Sequence, residues 1–185
     1  MYRLARVSIP PGTYELGPDD GTLVVRTKRT GAAAKAGHNL LIHVTAWKGT
    51  LVVGDETSVE LTADPTSLRV REGEGGMQAL GDDDKASIEQ TIDDDVLKQK
   101  GISFHSTAVE ATADGNALGV QGELTLFGTT RPLAFDVAVP GDGTLSAVAV
   151  VKQTDWGMKP YSGLFGALKV VDEVEVSVAV DGLGV

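Results

Sequence analysis

Hydrophobic and polar positions alternate along most of the chain, a pattern typical of β-strands with one buried face. The alternation is clearest near the C-terminus, where Val174, Val176, Val178 and Val180 share one face of an extended segment. Turns rich in glycine separate such segments, and short turns join antiparallel rather than parallel neighbours. Strands are therefore predicted at residues 13–16, 22–27, 39–47, 51–53, 58–63, 67–71, 102–112, 117–127, 133–139, 145–154 and 170–180.

One early strand is apolar on both faces. Strict alternation places Leu40, Ile42 and Val44 on one face, and Leu41 and Trp47 on the other. A strand in a barrel wall, with a lumen on one side and a covering element on the other, needs apolar residues on both faces.

A single helix is predicted over residues 87–100. Ser87 and Gln90 have the spacing of a capping box, and Gly101 provides a helix stop. The helix carries one apolar stripe, so we expect it to lie across the barrel, covering one end or one side. The stripe consists of Ile88, Ile92, Val96 and Leu97.

Four short motifs resemble those of the YceI-like family. They are ISFHS at 102–106, GELTLFGTTRPL at 122–133, TDWG at 154–157 and VDEVEV at 171–176. The resemblance covers residues 11–181, with GHNL at 37–40 departing from the family pattern. It implies a lipocalin-type barrel that binds a polyisoprenoid or isoprenoid-quinone-like lipid, in some members as a homodimer.

Pattern and resemblance together predict one all-β domain over residues 1–185 with one short α-helix. The expected architecture is an antiparallel, up-and-down, lipocalin-like barrel of about eight strands, which is wide enough to enclose one small ligand. The predicted function is binding, storage or transport of a long apolar ligand without catalysis and without a covalent cofactor. That ligand would be an isoprenoid quinone, another polyisoprenoid or another lipid.

Aromatic placement suggests which residues line the cavity or cover it. The loop at 159–166 is unusually apolar for an exposed segment, and it either completes the core or forms a lid. Small residues facing inward would leave the lumen open, at Ala108, Gly119, Gly122, Ala147 and Ala149. The candidate ligand contacts are Trp47, Phe104, Phe127, Phe135, Trp156, Tyr161, Leu164 and Phe165.

Two other functions stay open at this point. An enzyme acting on a hydrophobic small molecule would need a general base such as His38, His105 or Glu123, although Glu123 is expected to face outward. A protein-interaction module would instead have a solid core. No metal site is predicted, because the spacing of His38 and His43 puts them on opposite faces of a strand.

Charge and composition narrow the partners. The chain has 26 acidic and 16 basic residues and a net charge of −10, which disfavours nucleic-acid binding. It has no cysteine, and no apolar run approaches the ~20 residues of a transmembrane helix. Residues 1–11 lack the apolar core of a signal peptide, so a cytoplasmic location is expected.

Overall fold

The computed structural model describes residues 9–183, in which strands predominate. There is one α-helix in this part of the chain, α1 at Asp82–Thr91. The strands are β1 Gly12–Leu16, β2 Gly21–Thr27, β3 Arg29–Thr30, β4 Asn39–Val44, β5 Trp47–Val53, β6 Ser58–Ala63, β7 Leu68–Glu74, β8 Ile102–Ala111, β9 Ala117–Leu126, β10 Thr129–Ala138, β11 Leu145–Lys152, β12 Ser162–Gly163, β13 Leu168–Val170 and β14 Glu173–Val180.

Eleven of these strands form one curled antiparallel sheet in the order β1-β5-β6-β8-β9-β10-β11-β14-β2-β4-β7. The short strands β12, β13 and β3 form a second sheet beside it. The prediction of an antiparallel, mostly β fold with one helix is confirmed. The predicted count of about eight strands is wrong, because the described residues place eleven in the main sheet.

Bends explain the larger number of strands. Three extended segments are each split in two, at 17–20 between β1 and β2, at 45–46 between β4 and β5, and at 64–67 between β6 and β7. Two of the bends are bonded to each other, since Thr45 N donates to Ser67 O and Asp64 N donates to Ala46 O, both at 2.9 Å. The strand predicted over 39–47 is therefore two strands with a corner between them.

The sheet forms a half-barrel, and its backbone pairing is interrupted at a seam between β10 and β11. These two strands share two residue pairs, whereas β9 and β10 share ten. The 3-10 turn Gln153–Trp156 lies against β10 at this seam. The buried indole of Trp156 donates from Nε1 to Leu124 O at 2.9 Å, and Arg131 Nη1 donates to Asp155 O at 3.1 Å.

The helix begins earlier than the sequence pattern predicted. Gly81 N donates to Asp84 Oδ2 at 2.9 Å, so the start lies at Asp82 and the predicted capping box at Ser87 is wrong. The Ser87 hydroxyl instead donates to Asp83 O one turn earlier. After Thr91 the chain makes one π-helical turn, Ile92–Val96. The predicted apolar stripe is confirmed, since all its residues pack against the core.

We expect Trp156→Phe to destabilise the fold. The substitution removes the hydrogen bond from the buried indole to Leu124 O, and such a bond typically contributes about 0.5–1.5 kcal/mol. Trp47→Phe is the matched control, because Trp47 is also buried but its indole makes no hydrogen bond to another described residue. Urea unfolding should show a larger loss of unfolding free energy for Trp156→Phe than for Trp47→Phe. Equal losses would contradict a stabilising role for the indole hydrogen bond.

We also expect Asp93→Asn to stabilise the protein at neutral pH. Asp93 Oδ1 is buried without a partner among the described residues, and burial raises the pKa of this carboxyl despite the opposing charge of Arg69. A raised folded-state pKa means that stability falls as pH rises above the unfolded value of 3.8. The advantage of Asp93→Asn in denaturant titrations should vanish below that pH, and an advantage of the same size at every pH would contradict the buried charge as its cause.

Candidate ligand cavity

The curled sheet encloses a cavity of about 610 Å³. Alternate residues along the strands face inward and form its wall, as do Leu124 and Leu126 on β9 and Val176 and Val178 on β14. The apolar stripe of α1 and the π-helical turn after it, including Ile88 and Ile92, covers part of it. This volume lies within the range of pockets that hold small organic ligands, about 300–1,000 Å³.

The strand register builds the wall in layers. Ile42 is paired with Val25, Val25 with Val176, and Val176 with Ala149, and all four side chains line the cavity. Antiparallel pairing puts directly opposed residues on the same face of a sheet. One layer across β4, β2, β14 and β11 is therefore purely aliphatic.

Small side chains are part of the reason why the lumen is open. Ala147 and Ala149 line the cavity, as the open-lumen interpretation required. Ala108 and Gly119 do not line it, and Gly122 is covered by an aromatic ring. A side chain at Gly122 would collide with the ring of Phe104, so glycine is needed where β9 passes beneath it.

Four of the eight predicted contact residues line the cavity. The rings of Phe104 and Phe135 have centroids 5.2 Å apart and are inclined by 54°. Trp47 is buried in the wall, and Tyr161 lies at the rim, 43% exposed. The bend at 45–46 turns Trp47 to the side of Ile42 and Val44, whereas an uninterrupted strand would place it opposite them.

The other four predicted contacts do not line the cavity. Phe127 lies at a turn, with Lys100 Nζ 4.2 Å from its ring centroid, and Trp156 fills the seam. Leu164 and Phe165 project into solvent from a turn in which both have positive φ, 50° and 56°. Leu164 and Phe165 of the predicted lid therefore do not line the cavity, whereas Tyr161 of the same loop does, and a role in ligand contact stays a prediction for all eight residues.

Polar side chains gather at one end of the cavity, which we call the polar end: Arg29, His38, Gln153, Tyr161 and Lys169. Sequence analysis singled out Tyr161 but missed Arg29, Gln153 and Lys169 as lining residues. The sequence pattern does indicate two of the residues at the polar end. Arg29 and His38 continue the inward alternation of Val25 and Leu40 past the ends of their strands.

The three candidate general bases do not converge. His105 Nε2 lies 3.1 Å from Glu123 Oε2 on the outer face, where both side chains are about half exposed, and the outward prediction for Glu123 is confirmed. His38 lines the cavity and donates from Nε2 to Gln78 O at 2.7 Å.

His43 faces away from the lumen, and burial, followed by the charges of Arg71 and Arg26, lowers its pKa. Within residues 9–183, no three His, Asp or Glu side chains are arranged to hold a metal ion. The helix in this part of the chain is too short and too polar to span a bilayer.

Several solved structures have a similar fold. BcnA of Burkholderia cenocepacia is 18% identical with a TM-score of 0.61, covering 86% of this chain and 94% of its own. A polyisoprenoid binding domain from Saccharophagus degradans is 10% identical with a TM-score of 0.54, covering 92% and 97%. The YCEI protein of Campylobacter jejuni is 13% identical with a TM-score of 0.50, covering 75% and 83%.

At such identities these likenesses concern the fold alone. No curated protein matches the sequence. The model of the YceI-like domain, by contrast, matches residues 14–181, which is nearly the whole chain. The chain therefore belongs to the YceI-like domain family.

Proposed function

We propose that this protein binds a long apolar ligand in its cavity, for storage or transport and without catalysis. The ligand class would be an isoprenoid, a polyisoprenoid quinone or another lipid chain. The observation that carries the proposal is the cavity itself, about 610 Å³ in volume and lined predominantly by aliphatic and aromatic side chains.

The energetics of such a site favour a hydrocarbon. Each buried methylene contributes about 0.8 kcal/mol, so a chain of about ten would gain about 8 kcal/mol before the cost of immobilising it. The aliphatic layer formed by Val25, Ile42, Ala149 and Val176 offers such a chain no polar group. Affinity in this part of the cavity would thus depend on length and shape rather than on head-group chemistry.

The comparisons support the same ligand class. Membership of the YceI-like family and the resemblance in fold to a polyisoprenoid binding domain are both consistent with a lipid-sized lumen. Non-catalytic binding is further supported by the outward position of His105 and Glu123, which removes two of the three candidate bases from the cavity.

We expect native protein to retain a long-chain lipid at close to one molecule per chain. Extraction followed by mass spectrometry would identify it and give its chain length. Protein that carries no lipid and also fails to take up the neutral fluorescent probe N-phenyl-1-naphthylamine would contradict the proposal.

Filling the lumen should abolish uptake. Ala149→Trp places a large side chain in the aliphatic layer, and we expect at least about a tenfold loss of affinity for N-phenyl-1-naphthylamine, since the displaced contact area is mostly apolar. Val150→Trp is the matched control, because Val150 is the next residue on β11 and points outward, 58% exposed. Equal affinities for the two variants in fluorescence titrations would rule out binding in this cavity.

A further inference from the structure

Neighbouring strands change from apolar to polar at the same end of the lumen. Thr27 is paired with Leu40, and beyond this pair the next inward positions are Arg29 and His38. On the neighbouring strands β11 and β14, Val151 is paired with Val174, and the next inward residue after Val151 is Gln153. Since these strands are adjacent in the sheet, their polar residues meet at one level, the polar end.

The small second sheet adds a further positive charge at this level. Val170 is paired with Arg29, and Lys169 with Thr30, so Lys169 is carried to the rim of the opening. Tyr161 lies beside it, because Val170 N donates to Tyr161 O at 3.0 Å. The polar end thus combines a guanidinium, an ammonium and several neutral hydrogen-bonding groups.

Local contacts hold Arg29 and His38 in place. Arg29 Nη1 donates to Gly37 O, and its backbone N donates to Asn39 Oδ1 at 2.9 Å. The loop after β7 packs closely over both side chains. A side chain at Gly75 would collide with the guanidinium and one at Gly76 with the imidazole, and both glycines have positive φ.

No carboxylate of the described residues lines the cavity at this end, although the chain as a whole is strongly acidic. Among residues 9–183, neither Arg29 nor Lys169 forms an ion pair. Glu60 is the one acidic residue that lines the described cavity, and it lies on β6, beyond the bend at 64–67. A half-buried guanidinium beside an apolar lumen is poorly stabilised without a counter-charge, which an anionic ligand would supply.

We propose that the polar end binds the anionic head group, a carboxylate or a phosphate, of a single-chain lipid whose tail occupies the cavity. The inference rests on the proposed function and narrows it, because it favours a charged amphiphile over a neutral quinone. Arg29 provides the planar pair of donors that suits either anion, and Lys169 provides a second charge at the rim.

Matched acids and alcohols test the head group separately from the tail. Displacement of N-phenyl-1-naphthylamine would be measured with palmitate against hexadecanol, and with farnesyl phosphate against farnesol. The wild type should bind at least one acid about tenfold more tightly than its alcohol, since one charge-assisted hydrogen bond is worth about that factor. The pair that shows the preference identifies the anion as carboxylate or phosphate.

The double variant Arg29→Gln, Lys169→Gln should lose this preference and keep its affinity for the alcohols. Its control is Lys28→Gln, Lys159→Gln, which has the same net charge and alters two exposed lysines that do not line the cavity. The control should bind acids as the wild type does. Unchanged alcohol binding shows in each case that the cavity is intact.

Two results would overturn the inference while leaving the proposed function standing: alcohols that bind as tightly as acids in the wild type, or a preference that both double variants lose equally. If neither the alcohols nor the probe bind at all, the proposed function fails and the inference fails with it.

Discussion

The alternation of side chains along a curled antiparallel sheet is the constraint on which the rest of this structure depends. Once the sheet curls, one side chain in two must point into the lumen, and here those side chains are mainly valine, leucine and alanine. Some of them, such as Ala147 and Ala149, are small, which is part of the reason why the lumen stays open as a cavity of about 610 Å³.

The sheet can curl so tightly because its long segments bend and because one pair of strands separates. The bends at 45–46 and 64–67 are bonded to each other, so β4–β5 and β6–β7 turn the same corner together. At the seam between β10 and β11, side chains replace the missing backbone ladder. Trp156 makes the buried link across it to Leu124 O, which is why this aromatic residue serves the wall rather than the lumen.

The inward-facing side chains of four strands change from aliphatic to polar towards one end of the cavity, and this gives the cavity a direction. Aliphatic layers occupy the middle of β2, β4, β11 and β14, and the positions just beyond them carry Arg29, His38 and Gln153. An amphiphile would enter such a site in one orientation. Loops and strand ends can supply this polarity without loss of stability, because they already lie near solvent.

Local sequence determined much of the fold. Period-two patterning located the main strands, the stripe through Ile88 and Ile92 predicted the packing face of the helix, and the charge of Glu123 placed it on the outer face. Only the tertiary structure decided which face a side chain takes after a bend, as at Trp47, which distant segments are in contact, as at Trp156 and Leu124, and that Phe165 is exposed. The physical reason is that alternation fixes which residues share a face within one strand, whereas bends, register and neighbouring strands are set by non-local hydrogen bonds.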